Sequence, residues 1–209
     1  MVHLFPHWNG PDTVPIWVYS NVDSVELFVN GVSQGVKAMQ RYSHIEWAGV
    51  PWSAGYISAV GYMNGTSAPV ASAMVNTTGP AVALHASVLD GFGGEVLLAG
   101  CGDATVVTVE VVDGAGRVHP LAGDAISVTV SGDATFGGAS NGDPACLVNN
   151  KSPVRPAFHG LLTVVVLGGT TPGAVVVTVT APGLGSATVT VQQVAPAGPS
   201  AWCHLNPTL

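Results

Sequence analysis

Four glutamates, Glu26, Glu46, Glu95 and Glu110, are the residues with which this chain could attempt acid–base chemistry. Cleaving a glycosidic bond takes two carboxyl groups facing one cleft. Their surroundings point elsewhere. Glu26 stands between Val25 and Leu27, Glu46 between Ile45 and Trp47, and Glu110 between Val109 and Val111. Alternate side chains of an extended strand face opposite ways, so apolar neighbours turned inward send these three carboxylates to solvent. Among the eight aspartates, Asp103, Asp124, Asp133 and Asp143 each follow glycine, which is turn chemistry. A calcium site would need several of their oxygens to converge.

The other reactive residues are equally scattered. His3 and His7 are four apart, but Pro6 breaks the segment and no helix sets them on one face; His44, His85, His119, His159 and His204 stand alone. There is no G-x-S-x-G, no phosphate-binding loop and no dinucleotide-binding glycine pattern. No catalytic residue, metal or cofactor is therefore assigned. Cys101, Cys146 and Cys203 are odd in number and lack C-x2-C spacing, so they are expected to be unshared thiols. Aromatic residues are the remaining lead. Trp8, Trp17, Trp47 and Trp52 lie close in sequence to Tyr19, Tyr42, Tyr56 and Tyr62. They would serve either as a sugar-stacking surface or as cover for a sheet face or an interface, and the second is the expectation.

Composition narrows the class. Of 209 residues, 8% are charged, against about 25% in an ordinary soluble chain, while 47% are hydrophobic. That is enough apolar material for a core and too little charge for a disordered acidic chain. Five Lys and Arg against twelve Asp and Glu give a net charge of −7, which argues against nucleic acid as a partner. The apolar run from Leu161 to Leu167 is far short of the ~20 residues of a spanning helix, so no membrane partner is expected. The first residues carry neither the basic region nor the apolar run of a signal peptide; either the product is not exported or Met1 is not its natural start.

The elements that would position these residues are strands. Apolar residues recur with period two: Val14, Ile16 and Val18; Val25, Leu27 and Val29; Val107, Val109 and Val111; Ile126, Val128 and Val130; Val175, Val177 and Val179. Further strands are expected from Arg41 to Trp47, Tyr56 to Met63 and Val70 to Val75. Asn30-Gly31 and Asn64-Gly65 are hairpin signals, because a type I′ turn needs φ > 0 at both central residues. Leu161 to Leu167 is apolar on both faces and is placed centrally between two layers. The fold class is all-β, two tandem immunoglobulin-like antiparallel β-sandwiches. The expected boundaries are a first sandwich over 1–76, a linker over 77–80, a second sandwich over 81–194 and a disordered tail over 195–209.

Certain runs are more specific than periodicity. The first reads Val2-His-Leu-Phe-Pro-His-Trp-Asn9, then Val14-Pro-Ile-Trp-Val-Tyr-Ser-Asn21 and Asp23-Ser-Val-Glu-Leu-Phe-Val-Asn-Gly31. Later come Thr108-Val-Glu-Val-Val-Asp113, Asn141-Gly-Asp-Pro144 and Ala157-Phe-His-Gly160. Together they resemble the post-barrel domain and the following immunoglobulin-like domain of family 2 glycoside hydrolases of the β-galactosidase type, across roughly residues 2–193. The resemblance implies that the catalytic glutamates belong to a (β/α)8 barrel upstream of this region, and that this barrel is the chain's partner. No glutamate here matches either catalytic motif. The family's second tryptophan in its H-W-N-W run is Gly10 here, and Ala145-Cys-Leu147 follows Pro144 where the family tends to carry a His-Glu pair. The resemblance leaves His7 and Trp8 as the substrate-proximal candidates. The implied function is that of a non-catalytic accessory portion of a β-galactosidase-like enzyme. The alternative is an independent carbohydrate-binding or adhesin-like module.

Overall fold

The computed structural model describes residues 1–10, 12–89 and 96–197, and every regular element among them is a strand. The chain divides into two compact units, Met1–Thr78 and Gly79–Leu209.

The first unit contains β1 (Val2–Phe5), β2 (Thr13–Ser20), β3 (Ser24–Val29), β4 (Val32–Ala38), β5 (Ile45–Pro51), β6 (Tyr56–Tyr62) and β7 (Ala71–Asn76). They form a three-stranded sheet, β1-β2-β5, and a four-stranded sheet, β4-β3-β6-β7. Alternation decides which side chains meet between them. Ile16 and Val18 from β2, Val25 and Leu27 from β3, and Ile57 and Ala59 from β6 are buried in one core with Trp8 and Trp47. The Asn30-Gly31 turn has φ of 47° and 82°, and it joins Val29 to Val32 as paired neighbours, as a type I′ hairpin requires.

The second unit contains β8 (Ala81–Val88), β9 (Val96–Leu98), β10 (Ala104–Asp113), β11 (Ala125–Ser131), β12 (Ala134–Ser140), β13 (Val154–Pro156), β14 (Leu161–Gly168), β15 (Gly173–Ala181) and β16 (Gly185–Val194). Its sheets are ordered β12-β14-β10-β8 and β13-β11-β15-β16-β9. Val107, Val109 and Val111 face Ile126, Val128, Val175, Val177 and Val179 across one apolar core. The strand apolar on both faces, β14, lies between β12 and β10.

Three expectations are corrected. The strand placed at Arg41–Trp47 begins only at Ile45, because Gln40 to Ser43 turns: the Ser43 amide donates to the Gln40 carbonyl at 3.2 Å and Tyr42 has φ of 64°. The sheets are not wholly antiparallel, since β9 runs parallel to the end of β16. Cys101 is buried and disulfide-bonded, while Cys146 is a free thiol. Cys203 and the tail from residue 198 lie outside the described residues, as does Glu95.

Two motifs of the second unit act as turn hardware. Asp113, 2% exposed at the end of β10, accepts N–H donors from Gly79, Ala115 and Arg117, each at 2.9 Å. The Arg117 guanidinium adds Nε at 2.9 Å and Nη2 at 2.7 Å. In Ala157-Phe-His-Gly160 the working residue is the glycine. Its φ is 77°, its amide donates to the Ala122 carbonyl, and its carbonyl accepts the Val111 amide. A Cβ there would stand 2.5 Å from the His119 carbonyl oxygen. Gly160→Ala is accordingly expected to destabilise this unit by at least about 1–3 kcal/mol, read as a lower urea midpoint. An unchanged midpoint would show that the turn relaxes freely.

Candidate functional site

The run His7-Trp8-Asn9 is held by residues of two other segments, 52–53 and 77–78. Trp8 is fully enclosed; its Nε1 donates to the Ser53 carbonyl at 2.9 Å. Its own carbonyl accepts Trp52 Nε1 at 3.2 Å and the Thr77 hydroxyl at 3.0 Å. Asn9 pairs with Thr78 in both directions: Nδ2 donates to Oγ1 at 2.8 Å, and Oδ1 accepts the Thr78 amide at 3.0 Å. His7 is half-buried, and its Nδ1 accepts the Asn9 amide at 3.2 Å, which places the neutral ring's proton on Nε2. His3 sits on the exposed side of β1, paired with Tyr19.

The aromatic residues separate by strand parity. Trp47 shares the inward parity of Ile45 and is 6% exposed, with Lys37 Nζ 5.0 Å from its ring. Trp17 has the opposite parity to Ile16 and Val18 and lies on the outer face of β1-β2-β5. There a row runs from Phe5 to Trp17 (6.2 Å between centroids), to His44 (4.9 Å) and on to Tyr19 (5.4 Å). Neighbouring rings are tilted by 32–39°, so they share one face without forming one plane. Trp17 Nε1 is buried without an acceptor among the described residues.

The carboxylates are dispersed. Glu26 on β3 accepts hydroxyls from Ser33 (2.6 Å) and Tyr62 (3.3 Å). Burial first, and then the Glu26 charge, push the Tyr62 phenol above its ordinary range. Glu46 is exposed on β5 of the other sheet, and Glu110 in the second unit pairs with His85 at 3.0 Å. Three of the four turn aspartates are spent on backbone amides: Asp103 on Leu98 and Ala104, Asp133 on Thr170 and Thr171, Asp143 on Ala145. Among the described residues no three His, Cys, Asp or Glu side chains gather as metal ligands.

Residues 94–190 match the family described as glycoside hydrolase family 2 C-terminal domain 5, and residues 12–68 match a domain of unknown function, DUF4982. Beta-galactosidase BoGH2A of Bacteroides ovatus is 33% identical over 195 residues, which are 91% of this chain and 22% of that protein. The solved structure of a β-glycosidase from Bacteroides vulgatus superposes with a TM-score of 0.81 at 28% identity, over 91% of this chain and 24% of its own. The chain belongs to the C-terminal region of the family 2 glycoside hydrolases. A β-glucuronidase of the same family superposes at 0.83 and 29% identity, over 93% of this chain and 20% of that one.

Within this C-terminal region the motif residues mostly do structural work. Asn141, 8% exposed, donates to the Pro156 carbonyl at 3.0 Å and accepts the Asp143 amide at 3.1 Å, closing the turn of Asn141-Gly-Asp-Pro144. At Gly10 a Cβ would lie 2.6 Å from Val14 Cγ2, so this departure from the family's tryptophan is locally filled. Sequence reasoning named Tyr42 only as one of several aromatic residues and placed Arg41 in a strand; it did not bring Gln40, Arg41 and Tyr42 together with Asp23 around a cavity. A polar, non-alternating run between two strands was the available signal.

Proposed function

We propose that this chain is the accessory, non-catalytic C-terminal portion of a β-galactosidase-type family 2 enzyme whose (β/α)8 barrel performs the hydrolysis of O-glycosyl bonds. The observation that carries the reading is the dispersal of Glu26, Glu46 and Glu110 over three different sheets, each in its own surroundings. A glycosidase pair must share one cleft, at ~5–9.5 Å separation.

The parent barrel is the partner assigned to the outer face of β1-β2-β5. Phe5, 51% exposed, and Tyr19, 40% exposed, flank Trp17 there, an aromatic composition typical of interface centres. The mutual tilt of the rings suits an uneven protein surface better than a flat sugar. His7 and Trp8 are proposed to lie toward the sugar site, His7 by its half-buried ring and Trp8 by fixing the backbone that carries it.

The size of the native gene product tests this, by immunoblot with an antibody raised to the chain. The expected band exceeds 21.0 kDa by at least ~27 kDa, the mass of one barrel. A band at 21.0 kDa would overturn the accessory reading in favour of an independent carbohydrate-binding or adhesin-like module.

A further inference from the structure

We infer that the first unit carries a saccharide site of its own, in the cavity between segments 20–23 and 39–43. The cavity measures about 630 Å³, within the ~300–1,000 Å³ range of small-molecule sites. Buried Val22 and half-buried Met39 give it apolar lining, and Asp23, Gln40, Arg41 and Tyr42 give it polar groups. The two segments are tied together, since the Met39 amide donates to the Asp23 carbonyl at 2.8 Å.

Three features of this lining point to a sugar. Tyr42 is 95% exposed with φ of 64°, an uncommon backbone conformation for a bulky residue. The turn thus holds an aromatic ring out in solvent, where core packing gains nothing from it. The Arg41 guanidinium lies 5.3 Å from that ring and has no carboxylate partner among the described residues. Asp23 uses Oδ2 to accept the Asn64 amide at 2.7 Å, which leaves Oδ1 open; the Gln40 amide and Tyr42 hydroxyl also make no side-chain hydrogen bond among the described residues.

The open groups are a carboxylate acceptor, a guanidinium donor, and an amide and a phenol that do both. Vicinal hydroxyls of a pyranose both donate and accept, and a pyranose also offers a C–H face to an aromatic ring. With a carboxylate, Asp23, and a guanidinium, Arg41, both in the lining, the matching ligand is a neutral pyranoside rather than an acidic one. A protein partner would need a contiguous surface, whereas Asp23, Gln40, Arg41 and Tyr42 border a single cavity. This site goes beyond the accessory reading and does not depend on it.

The full chain, titrated with methyl β-D-galactopyranoside and followed by amide chemical shifts, tests the assignment. Saturable shifts confined to residues 20–23 and 39–43 are expected, with a dissociation constant in the millimolar range. Tyr42→Ala and Arg41→Ala are each expected to weaken binding about tenfold or more with the remaining spectrum unchanged. Leu147→Ser, in the second unit, is expected to bind as the parent does. Non-saturating shifts, shifts centred on Phe5, Trp17 and Tyr19, or undiminished binding by Tyr42→Ala would each overturn the site. So would tighter binding of methyl β-D-glucuronide, or concentration-dependent shifts of both segments without sugar, the mark of self-association.

Discussion

Trp8→Ala is expected to destabilise the first unit by about 3–5 kcal/mol, the range for emptying a buried tryptophan site. The side chain is 0% exposed and sits in the core with Ile16, Leu27 and Ile57. Its loss opens a cavity and also frees the Ser53 carbonyl from its donor. The Trp8 carbonyl, which accepts from Trp52 and Thr77, would lose its fixed position too. Amide exchange distinguishes this from a general effect: protection should fall in β2, β3 and β6 while β10, β14 and β15 keep theirs. Trp8→Phe retains most of the bulk and none of the N–H, so its smaller loss isolates the Ser53 bond. A cost below about 1 kcal/mol for Trp8→Ala would show that the surroundings collapse into the vacated space.

That central role was only partly legible in the amino-acid order. Periodicity identified Val25, Leu27 and Val29 as one face and β14 as a central strand, because both depend on local alternation. Trp17 alternates with Ile16 and Val18 in the same local way, and it lies on the outer face. Trp8 follows a short strand and Pro6, where no alternation extends far enough to orient it. Its burial is set by contacts with Ser53, Trp52 and Thr77, more than 40 positions away. The same limit hid the cavity, since Asp23 and Tyr42 border one space only after β3 and β4 have paired and brought the ends of segments 20–23 and 39–43 together. Cys101 shows the converse failure: odd number and sparse spacing describe a sequence, whereas a disulfide requires only proximity in the fold.

The second large effect is acid lability of the second unit. The Arg117 amide and guanidinium, with the Gly79 and Ala115 amides, hold the Asp113 carboxyl well below the ordinary value of 3.8. Asp133 is lowered in the same direction by Thr171 and then Thr170. In the unfolded chain both groups take up protons near their ordinary value, before the folded chain does. The unfolded state therefore binds more protons as pH falls, and stability falls with it. This contribution is fully present above the unfolded value and is lost as pH drops through 3.8 toward the depressed folded values. Denaturant midpoints of the second unit are accordingly expected to be flat from neutral pH to about 5 and to drop steeply below 4. Asp113→Asn keeps the side-chain shape and one acceptor oxygen but cannot ionise. It is expected to be less stable than the parent at neutral pH and to show a shallower acid slope, so that the two curves converge as the parent's carboxyl becomes protonated. Arg117→Met removes the guanidinium while sparing the backbone donors, and its curve should fall between them. Curves for Asp113→Asn and parent that stay parallel down to pH 2 would mean that the aspartate's charge contributes nothing to the fold, leaving its hydrogen bonds to close the turn by geometry alone.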